Sequence, residues 1–465
     1  MQFPGFERTS SSFRDPDGFI LKKEGIYHRF LPSTYLPIYQ LLVESGLYQQ
    51  LTNEGLLIKH EETDRFNNGL LITPEQIPFI SYPYEWSFQQ LKDAALLTLN
   101  IQYKAIEKGL SLKDASAYNV QFIGSNPVFI DTSSFEPFEQ QLPWKAYGQF
   151  CQHFLSPLVL MAKKDLRLGN LLSTYIEGIP LDLTVKLLPF SSRFNFGLLT
   201  HLYWHAKAIT QFQHKQTAVK NNPKINSFSK QKHLHFIQHL LGVINSLAPV
   251  KQKTVWDDYY QNHNYTNTSI AFKKAWIQSC IAQIKSPIKL AWDMGANDGT
   301  FSMIPAEKGI FTIAMDFDRN AVNEHCKKLT QLAKPYVSNL LPLVVDVLNP
   351  SAGIGWNNEE KSGIFKRGKP DLIMAMALIH HLVQGINLSF DKLAAFFYEH
   401  TQTYLLIEFI GEDDSQWKKL NMNRGNLFNW YNEENFKTAF LKHFDIVNVT
   451  PIPDSARTLY MFRRK

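Results

Sequence analysis

The chain has 465 residues, 44% of them hydrophobic and 19% charged, with 48 Lys and Arg against 42 Asp and Glu. That length holds two or three domains, and the composition is that of a core-forming protein rather than a disordered one. No apolar run reaches the length of a membrane span, and Cys151, Cys280 and Cys326 are far apart without metal spacing, which argues for buried free thiols rather than disulfides or zinc. The opening MQFPGFERTSSSFRDPDG lacks a signal-peptide core, so a cytoplasmic location and no membrane partner are expected.

Residues 1–213 predict an α+β, helix-rich accessory domain. DGFILKKEGIYHRFL (17–31) and GLLIKHEE (55–62) read as short strands, and SFQQLKDAALLTLNIQYKAIEKG (87–109) has the period of a long helix. LKDASAYNVQFIGSNPVFIDTSSFE (112–136) follows, with Asp114 and Asn119 five residues apart and Asp131 another 12 on. Two readings stay open. In one, Asp114 is a turn or cap residue and Asp131 ends a strand. In the other, the stretch resembles the catalytic core of the protein-kinase-like fold, where a helix precedes a D-x-x-x-x-N loop and a hairpin leads to a second Asp. That resemblance implies Asp114 near an acceptor hydroxyl, Mg²⁺ held by Asn119 and Asp131, and a nucleotide at this domain. The stretch departs from the pattern: no glycine-rich loop is visible upstream, Leu112 stands for the usual His, and Thr132-Ser133 replace Phe-Gly. Lys59 is the candidate phosphate-contacting lysine. A non-catalytic scaffold fits these departures better than an active phosphotransferase.

HKQTAVKNNPKINSFSKQKH (214–233) reads as an exposed Lys-rich linker, solvated rather than a nucleic-acid patch, and nothing in the chain matches a nucleic-acid module. Residues 234–288 predict a helical strap. Within it WDDYYQNHNYTNTSIAFKKAWIQSCIAQI (256–284) reads as an amphipathic packing helix, with Tyr265 and Lys273 as alternative cofactor contacts.

Residues 289–465 carry the strongest signal. LAWDMGANDGTFS (290–302) is an apolar strand ending at Asp293, then a turn with Gly295, Asn297 and Gly299. Glycines there let the backbone pass close to a ligand before a helix begins. FTIAMD (311–316) ends in an acid 23 residues after Asp293, the place of a ribose-binding carboxylate in nucleoside-binding folds, with Phe317 next to it. LPLVVDV (341–347) places Asp346 to accept from an adenine amine and Val347 to offer a backbone contact. PDLIMAMALIHHL (370–382) contains Ala375 and runs into His380 and His381, and TYLLIEF (403–409) ends at Glu408. Helical patterns at 320–333 and 389–401 separate these strands, which argues for a mostly parallel sheet covered on both faces. HFDIVNVTPI (443–452) and ARTLYMFRRK (456–465) predict a closing antiparallel hairpin.

This register resembles the Rossmann-like, seven-stranded domain of class I methyltransferases. A dinucleotide oxidoreductase would want G-x-G-x-x-G, whereas GANDG lacks the third-position glycine. The resemblance implies S-adenosylmethionine as cofactor, touching Asp293, Gly295, Asn297, Gly299, Asp316, Phe317, Asp346, Val347 and Ala375. Methyl transfer from a sulfonium is an in-line displacement, so alignment is the main task. A hydroxyl or amine acceptor also needs a base, for which His380, His381 and Glu408 are the candidates, with a strand cap, ring packing and pairing with Arg424 as the alternatives. The segments DMGANDGTFS, IGWNNEEKSGIFKRG (354–368), LIMAMALIHHL, EFIGEDDSQ and NRGNLFNWY also resemble bacterial class I methyltransferases related to nodulation proteins. In 354–368, Trp356 and Arg367 suggest an acceptor-side lid. Two functions follow: a methyltransferase acting on an unidentified small-molecule or protein acceptor, and a SAM-binding scaffold that no longer methylates.

Overall fold

The computed structural model describes residues 3–66, 68–208, 229–250, 267–332, 336–422 and 427–465. Tyr265, Arg424 and residues 214–228 of the expected linker lie outside the described residues; Lys230 already begins a helix, Lys230–Ser246. The chain divides into two compact units. The first comprises Met1–Phe122, Pro127–Gln252 and Gly353–Ser362; the second comprises Ile123–Asn126, Lys253–Ala352 and Gly363–Lys465.

The first unit opens with an antiparallel sheet of β1 (Glu7–Arg8), β2 (Phe19–Lys23), β3 (Ile26–Leu31), β4 (His60–Phe66) and β5 (Gly69–Pro74) in the order β1-β2-β3-β5-β4. The strand expected at 55–62 starts only at His60, because Leu57 bridges to Phe129 and the Ile58 amide donates to the Phe129 carbonyl. At Gly69 a Cβ would lie 2.3 Å from the Phe30 ring, so only glycine lets β5 approach β3. The long helix forms at Phe88–Glu107. Ser87 caps it by accepting from the Gln90 amide at 3.2 Å, and the Gln90 side chain accepts from the Ser87 amide at 2.9 Å. Its Leu91, Ala95, Leu99 and Ile106 are buried. Beyond it, β6 (Leu110–Leu112) pairs with β9 (Phe135–Pro137), and β7 (Val120–Ile123) with β8 (Asn126–Phe129).

In the second unit β10 (Leu290–Met294), β11 (Phe311–Asp316), β12 (Leu340–Val344), β13 (Leu372–Ala375), β14 (Tyr404–Ile410), β15 (Phe444–Pro451) and β16 (Arg457–Arg464) form one sheet, ordered β12-β11-β10-β13-β14-β16-β15. The first five are parallel; β16 runs antiparallel to both β14 and β15. Parallel strands covered on both faces need continuous apolar sequence, which LAWDM and LIMA supply. On one face Trp276, Ile277 and Cys280 of the helix Asn267–Gln283 pack with Ala291, Met374, Leu406 and Met461. Near β15 and β16 an aromatic stack fills the core, with Phe440 against Phe462 at 5.4 Å and Tyr460 against Phe462 at 5.4 Å. From β10 the chain winds outward through β11 to β12, then returns to the other side of β10 as β13 and β14. A crevice is thereby left at the carboxyl ends of β10 and β13. All three cysteines are free and buried. Among the described residues no helix is long and apolar enough to cross a membrane.

The segment read as a lid divides between the units. Residues 353–362 belong to the first and Arg367 to the second. Ile354 and Lys361 bridge, with Gly355, Asn357 and Asn358 turning the chain at positive φ. Glu360 is buried and accepts from Arg14 Nε at 2.7 Å; Lys361 Nζ lies 4.4 Å from the Tyr118 ring centre; the Ser362 amide donates to the Tyr82 hydroxyl at 3.2 Å. This short hairpin is therefore part of the first unit's packing, while its tip, 355–359, is exposed, with the Trp356 side chain 76% in solvent. Glu360→Ala is expected to destabilise the first unit by about 1–3 kcal/mol, the range for a hydrogen bond to a charged group. Urea unfolding monitored by hydrogen exchange of residues 3–122 reads this out; an unchanged midpoint there would mean the hairpin is only laid on the surface.

Candidate functional site

The crevice is a cavity of about 200 Å³ in the second unit, and its lining falls into four groups of neighbours. Gly295 to Asp298 follow β10, Asp316 to Asp318 end and follow β11, Val345 to Leu348 follow β12, and Met376 to Leu378 with His381 and Leu382 follow β13. Ile270, Thr300 and Phe301 complete it. Each group sits where a parallel strand hands over to the next element, the usual place for a ligand in such a sheet.

Of the residues expected from sequence, Gly295, Asn297, Asp316, Phe317, Asp346, Val347 and His381 line this cavity. Gly295 has φ +77, and a Cβ there would come 3.1 Å from Leu378 Cδ1. Asn297 also takes a left-handed conformation, φ +49, and its amide donates to Asp316 Oδ2 at 2.8 Å. Asp316 Oδ1 accepts from the Asp318 amide at 2.9 Å. A carboxylate has about four acceptor sites, so with the Phe317 amide as a third donor Asp316 still has acceptor capacity for a ligand. Burial pushes the Asp316 carboxyl up to about 6, against the pull of these amides. Asp346 Oδ1 accepts from the Leu348 amide at 2.9 Å, and the Phe317 ring stands 54% exposed beside the cavity.

Five expected residues stand elsewhere. Asp293 is buried in the sheet, accepts from Ser302 Oγ at 2.6 Å, and burial raises its carboxyl to about 7. Gly299 is required by packing rather than by ligand approach: a Cβ would lie 2.0 Å from the His325 ring, at φ +79. Ala375 is fully buried as the last residue of β13, and the cavity is lined by the next three residues instead. His380 and His381 belong to the first turn of the helix Ile379–Ile386 rather than to a strand end, with their ring centres 4.0 Å apart. His380 is buried, neither ring nitrogen has a hydrogen-bond partner among the described residues, and burial, then His381 and Arg457, hold it well below the ordinary imidazole range. His381 borders the cavity and is lowered to about 4, by burial and then Arg457, so it is neutral near pH 7.

Glu408 differs most from expectation. It lies inside β14, not at its end, and is fully buried in a charge network. Lys273 Nζ donates to both its oxygens at 2.6 Å, and Arg457 Nη1 donates to Oε1 at 3.2 Å. Arg457 Nε also donates to Asp414 Oδ2 at 2.7 Å. Burial alone would raise the Glu408 carboxyl, but Lys273 and Arg457 outweigh it and hold it below its usual range. Lys273, the alternative cofactor contact, is spent here too. Sequence reasoning missed Asp298, Asp318, Phe301 and the loop Met376–Leu378. Asp298 accepts from Thr300 Oγ1 at 2.7 Å and Lys328 Nζ at 2.8 Å. A run of two further acids after the strand ends, Asp298 and Asp318, was the available signal.

In the first unit Asp114, Asn119 and Asp131 do converge, but on one another. Asp131 Oδ1 meets Arg29 Nη1 at 2.6 Å and the Ser133 amide at 2.9 Å, while Oδ2 accepts from Ser134 Oγ at 2.6 Å. Asn119 Nδ2 donates to the same Ser134 hydroxyl at 3.1 Å, and Asp114 accepts from the Ser116 amide at 2.8 Å. The loop between β1 and β2 closes over this group, with Asp15 Oδ2 accepting from Ser133 Oγ at 2.8 Å and Asp17 paired to Lys113. Arg29, not the exposed Lys59, is the cation on Asp131. With the Asp131 oxygens taken by protein donors the set does not fit Mg²⁺, and among the described residues no three His, Cys, Asp or Glu side chains group to hold a metal.

Removing the Glu408 carboxylate leaves Lys273 and Arg457 buried without a counter-charge. Glu408→Ala is expected to cost about 3–5 kcal/mol of stability, the range for breaking a buried pair. Chemical denaturation measures it, and a loss under 1 kcal/mol would mean that water enters the network.

No family model matches the chain. Among solved structures it is similar to magnesium protoporphyrin IX methyltransferase ChlM from Synechocystis PCC 6803, crystallised with bound SAM, at TM-score 0.32 and 14% identity over 46% of this chain and 92% of that one. N-methyltransferase NodS from Bradyrhizobium japonicum WM9 gives TM-score 0.31 and 12% identity over 43% and 97%. The bifunctional kinase-methyltransferase WbdD gives 0.28 and 15% over 49% and 46%. Among curated proteins, nodulation protein NoeA of Rhizobium meliloti (strain 1021) is 32% identical over 467 residues, spanning 98% of this chain and 96% of that protein. The aligned length takes in both units, and the chain belongs to the family of nodulation protein NoeA.

Proposed function

We propose that the second unit is a SAM-dependent methyltransferase acting on an acceptor that carries a hydroxyl or amine. The observation that carries this reading is the charge of the cavity. Among the described residues its titratable lining is Asp298, Asp316, Asp318, Asp346 and the neutral His381, without Lys or Arg; Asp298 is paired outward with Lys328, and the rest is largely apolar. A phosphate-bearing cofactor such as a dinucleotide needs cations or amide donors at its phosphates. An acid-lined cavity favours a ligand with positive charge and hydrogen-bond donors, as S-adenosylmethionine has in its sulfonium, ammonium, ribose hydroxyls and adenine amine.

Bound there, S-adenosylmethionine supplies an electrophilic methyl group. The protein's part is to hold and orient. Asp316, though already accepting from backbone amides, has remaining acceptor capacity for a diol, Asp346 accepts from a donor beyond β12, and Phe317 covers a flat ring. His381, at the rim, is the one imidazole bordering the cavity and takes up an acceptor proton as methyl transfer proceeds. A side chain lowered to about 4 is a weak base, so it suits an acceptor whose proton becomes acidic only as the bond forms. The likeness of the whole chain to a nodulation protein is in keeping with a small-molecule or protein acceptor. The other reading, a SAM-binding scaffold, shares the cavity and lacks turnover.

Calorimetric titration with S-adenosylmethionine and, separately, NAD⁺ tests the cavity. Saturable binding of the first alone is expected, and Asp316→Ala should weaken it by about 10–150-fold, equivalent to about 1.5–3 kcal/mol. Binding of NAD⁺ instead would overturn the reading. The pH dependence has a definite sign. Asp316 is raised to about 6, so its carboxylate is lost as pH falls through that value. Affinity should fall as pH drops through about 6 and level off near the alanine variant's loss of about 10–150-fold, and Asp316→Asn should remove this part of the profile, leaving any part from Asp293, which is raised to about 7. His381 contributes nothing in that window, being neutral down to about 4. With an acceptor in hand, His381→Ala is expected to lower turnover about 100-fold with S-adenosylmethionine affinity unchanged; parallel losses in both would make His381 a binding residue.

A further inference from the structure

Four large aromatic side chains in the first unit stand in solvent within 15 residues of one another: Phe190 at 68%, Phe194 at 81%, Phe196 at 67% and Trp204 at 54% exposure. They follow the short helix Leu181–Leu187 and occupy the turns of Phe190–Phe194, Phe196–Leu198 and Leu199–Trp204. Those turns are anchored from beneath by buried Leu188, Leu198 and Leu202. The aromatic groups are therefore held outward by a packed base rather than left over from a loose loop. Phe190 meets Phe194 edge-on at 5.8 Å, and Phe196 meets Trp204 at 6.4 Å. Scattered exposed apolar residues need no explanation, but a contiguous group of this size does.

The sequence after Asp182, whose carboxylate pairs with Lys186 at 3.3 Å, is one-sided in charge. From residue 183 to 256 the sequence has ten Lys and Arg and neither Asp nor Glu. Since the whole chain carries +6, everything outside this stretch sums to −4. Among the described residues Lys186, Arg193 and Lys207 are exposed within the same stretch as the aromatic group. The Arg193 guanidinium lies 5.1 Å from the Phe190 ring centre and 5.4 Å from that of Tyr203, a cation carried on an apolar stem.

We propose that this surface docks on an anionic lipid bilayer, with Phe190, Phe194, Phe196 and Trp204 inserted among the acyl chains and Lys186, Arg193 and Lys207 at the headgroups. Aromatic side chains with flanking Lys and Arg are the composition of an interfacial anchor, and positive charge adds affinity for acidic phospholipid. Single-stranded nucleic acid also combines bases with aromatic stacking, but it needs flat ring faces open along a groove. Here the rings meet edge to face on an outward-facing turn, so two of them cannot both present a free face to successive bases. The absence of a spanning helix does not bear on a surface contact of this kind.

Flotation of the full-length protein with vesicles of phosphatidylcholine alone, or with 30% phosphatidylglycerol, tests the proposal. Binding is expected to the acidic vesicles, weakening as salt rises. The triple substitution F190S/F194S/W204S should reduce it at least tenfold while S-adenosylmethionine titration of the same protein is unchanged, which keeps the comparison to folded material. W204F should remove the blue shift of tryptophan fluorescence on vesicle addition and leave flotation nearly intact. No flotation with either vesicle would overturn the proposal, as would flotation insensitive to the triple substitution. Retention of a single-stranded oligonucleotide without vesicle binding would assign the surface to nucleic acid and overturn it too. A dimer that dissociates on the triple substitution, again without vesicle binding, would assign it to a second copy of the chain.

Discussion

The second unit depends on burying four charges together. Lys273, Glu408, Arg457 and Asp414 come from a helix, two strands and the loop after β14, and all four are almost fully excluded from water. Each ion alone would cost several kcal/mol to desolvate, and their mutual attraction offsets that only while every partner stays in place. The cost enforces register. Glu408 is opposite Leu459 in the β14–β16 pairing, and Arg457 is opposite Ile410, so a slip of one residue would turn Arg457 to the other face of the sheet and leave the carboxylate stranded. The same network fixes the helix Asn267–Gln283, which carries Ile270 to the cavity wall. A group that looked catalytic in sequence thus holds the walls of the site without facing it.

The cavity inherits its character from backbone geometry. Asn297 and Ala377 sit at φ +49 and +51, a conformation that costs a non-glycine residue energy and persists only where the surroundings enforce it. Both lie in the lining, one after β10 and one after β13. Asp316 supplies part of the enforcement by accepting from the Asn297 amide. The carboxylate that is best placed to meet a ligand is therefore also the one that shapes the loop. Substituting it perturbs both, which is why an Asp316→Asn variant, able to keep one acceptor oxygen, is a cleaner probe of charge than alanine.

The strands of the second unit and the cavity's position at their carboxyl ends were legible because parallel strands announce themselves: apolar runs, each ended by a polar residue, spaced by helical periods. The acid at the end of β11 could be placed from that rhythm alone. What could not be read was orientation. Asp293 ends an equally apolar strand, yet it turns into the sheet to meet Ser302, nine residues on, and no local pattern distinguishes the two acids. His380 and His381 are adjacent in sequence with ring centres only 4.0 Å apart, yet one is sealed in the core and the other borders the cavity, a split that nothing in the pair announces. Gly299 was read as room for a ligand and proves to be room for His325, a neighbour 26 residues away. In the first unit the convergence of Asp114, Asn119 and Asp131 was one of two readings left open, implied by the kinase-like resemblance. That Arg29, more than 100 residues upstream of Asp131, would occupy the carboxylate was not legible.

A net charge of +6 conceals two opposite regions. The cavity in the second unit is lined by aspartates, whereas the stretch from residue 183 to 256 in sequence is basic throughout. Screening over about 8–10 Å at physiological ionic strength makes each region act on what lies against it rather than on the average field. An acid-lined cavity favours a cationic cofactor over its neutral product, since loss of the sulfonium charge on methyl transfer removes part of the attraction. A basic, aromatic surface favours an acidic, apolar neighbour.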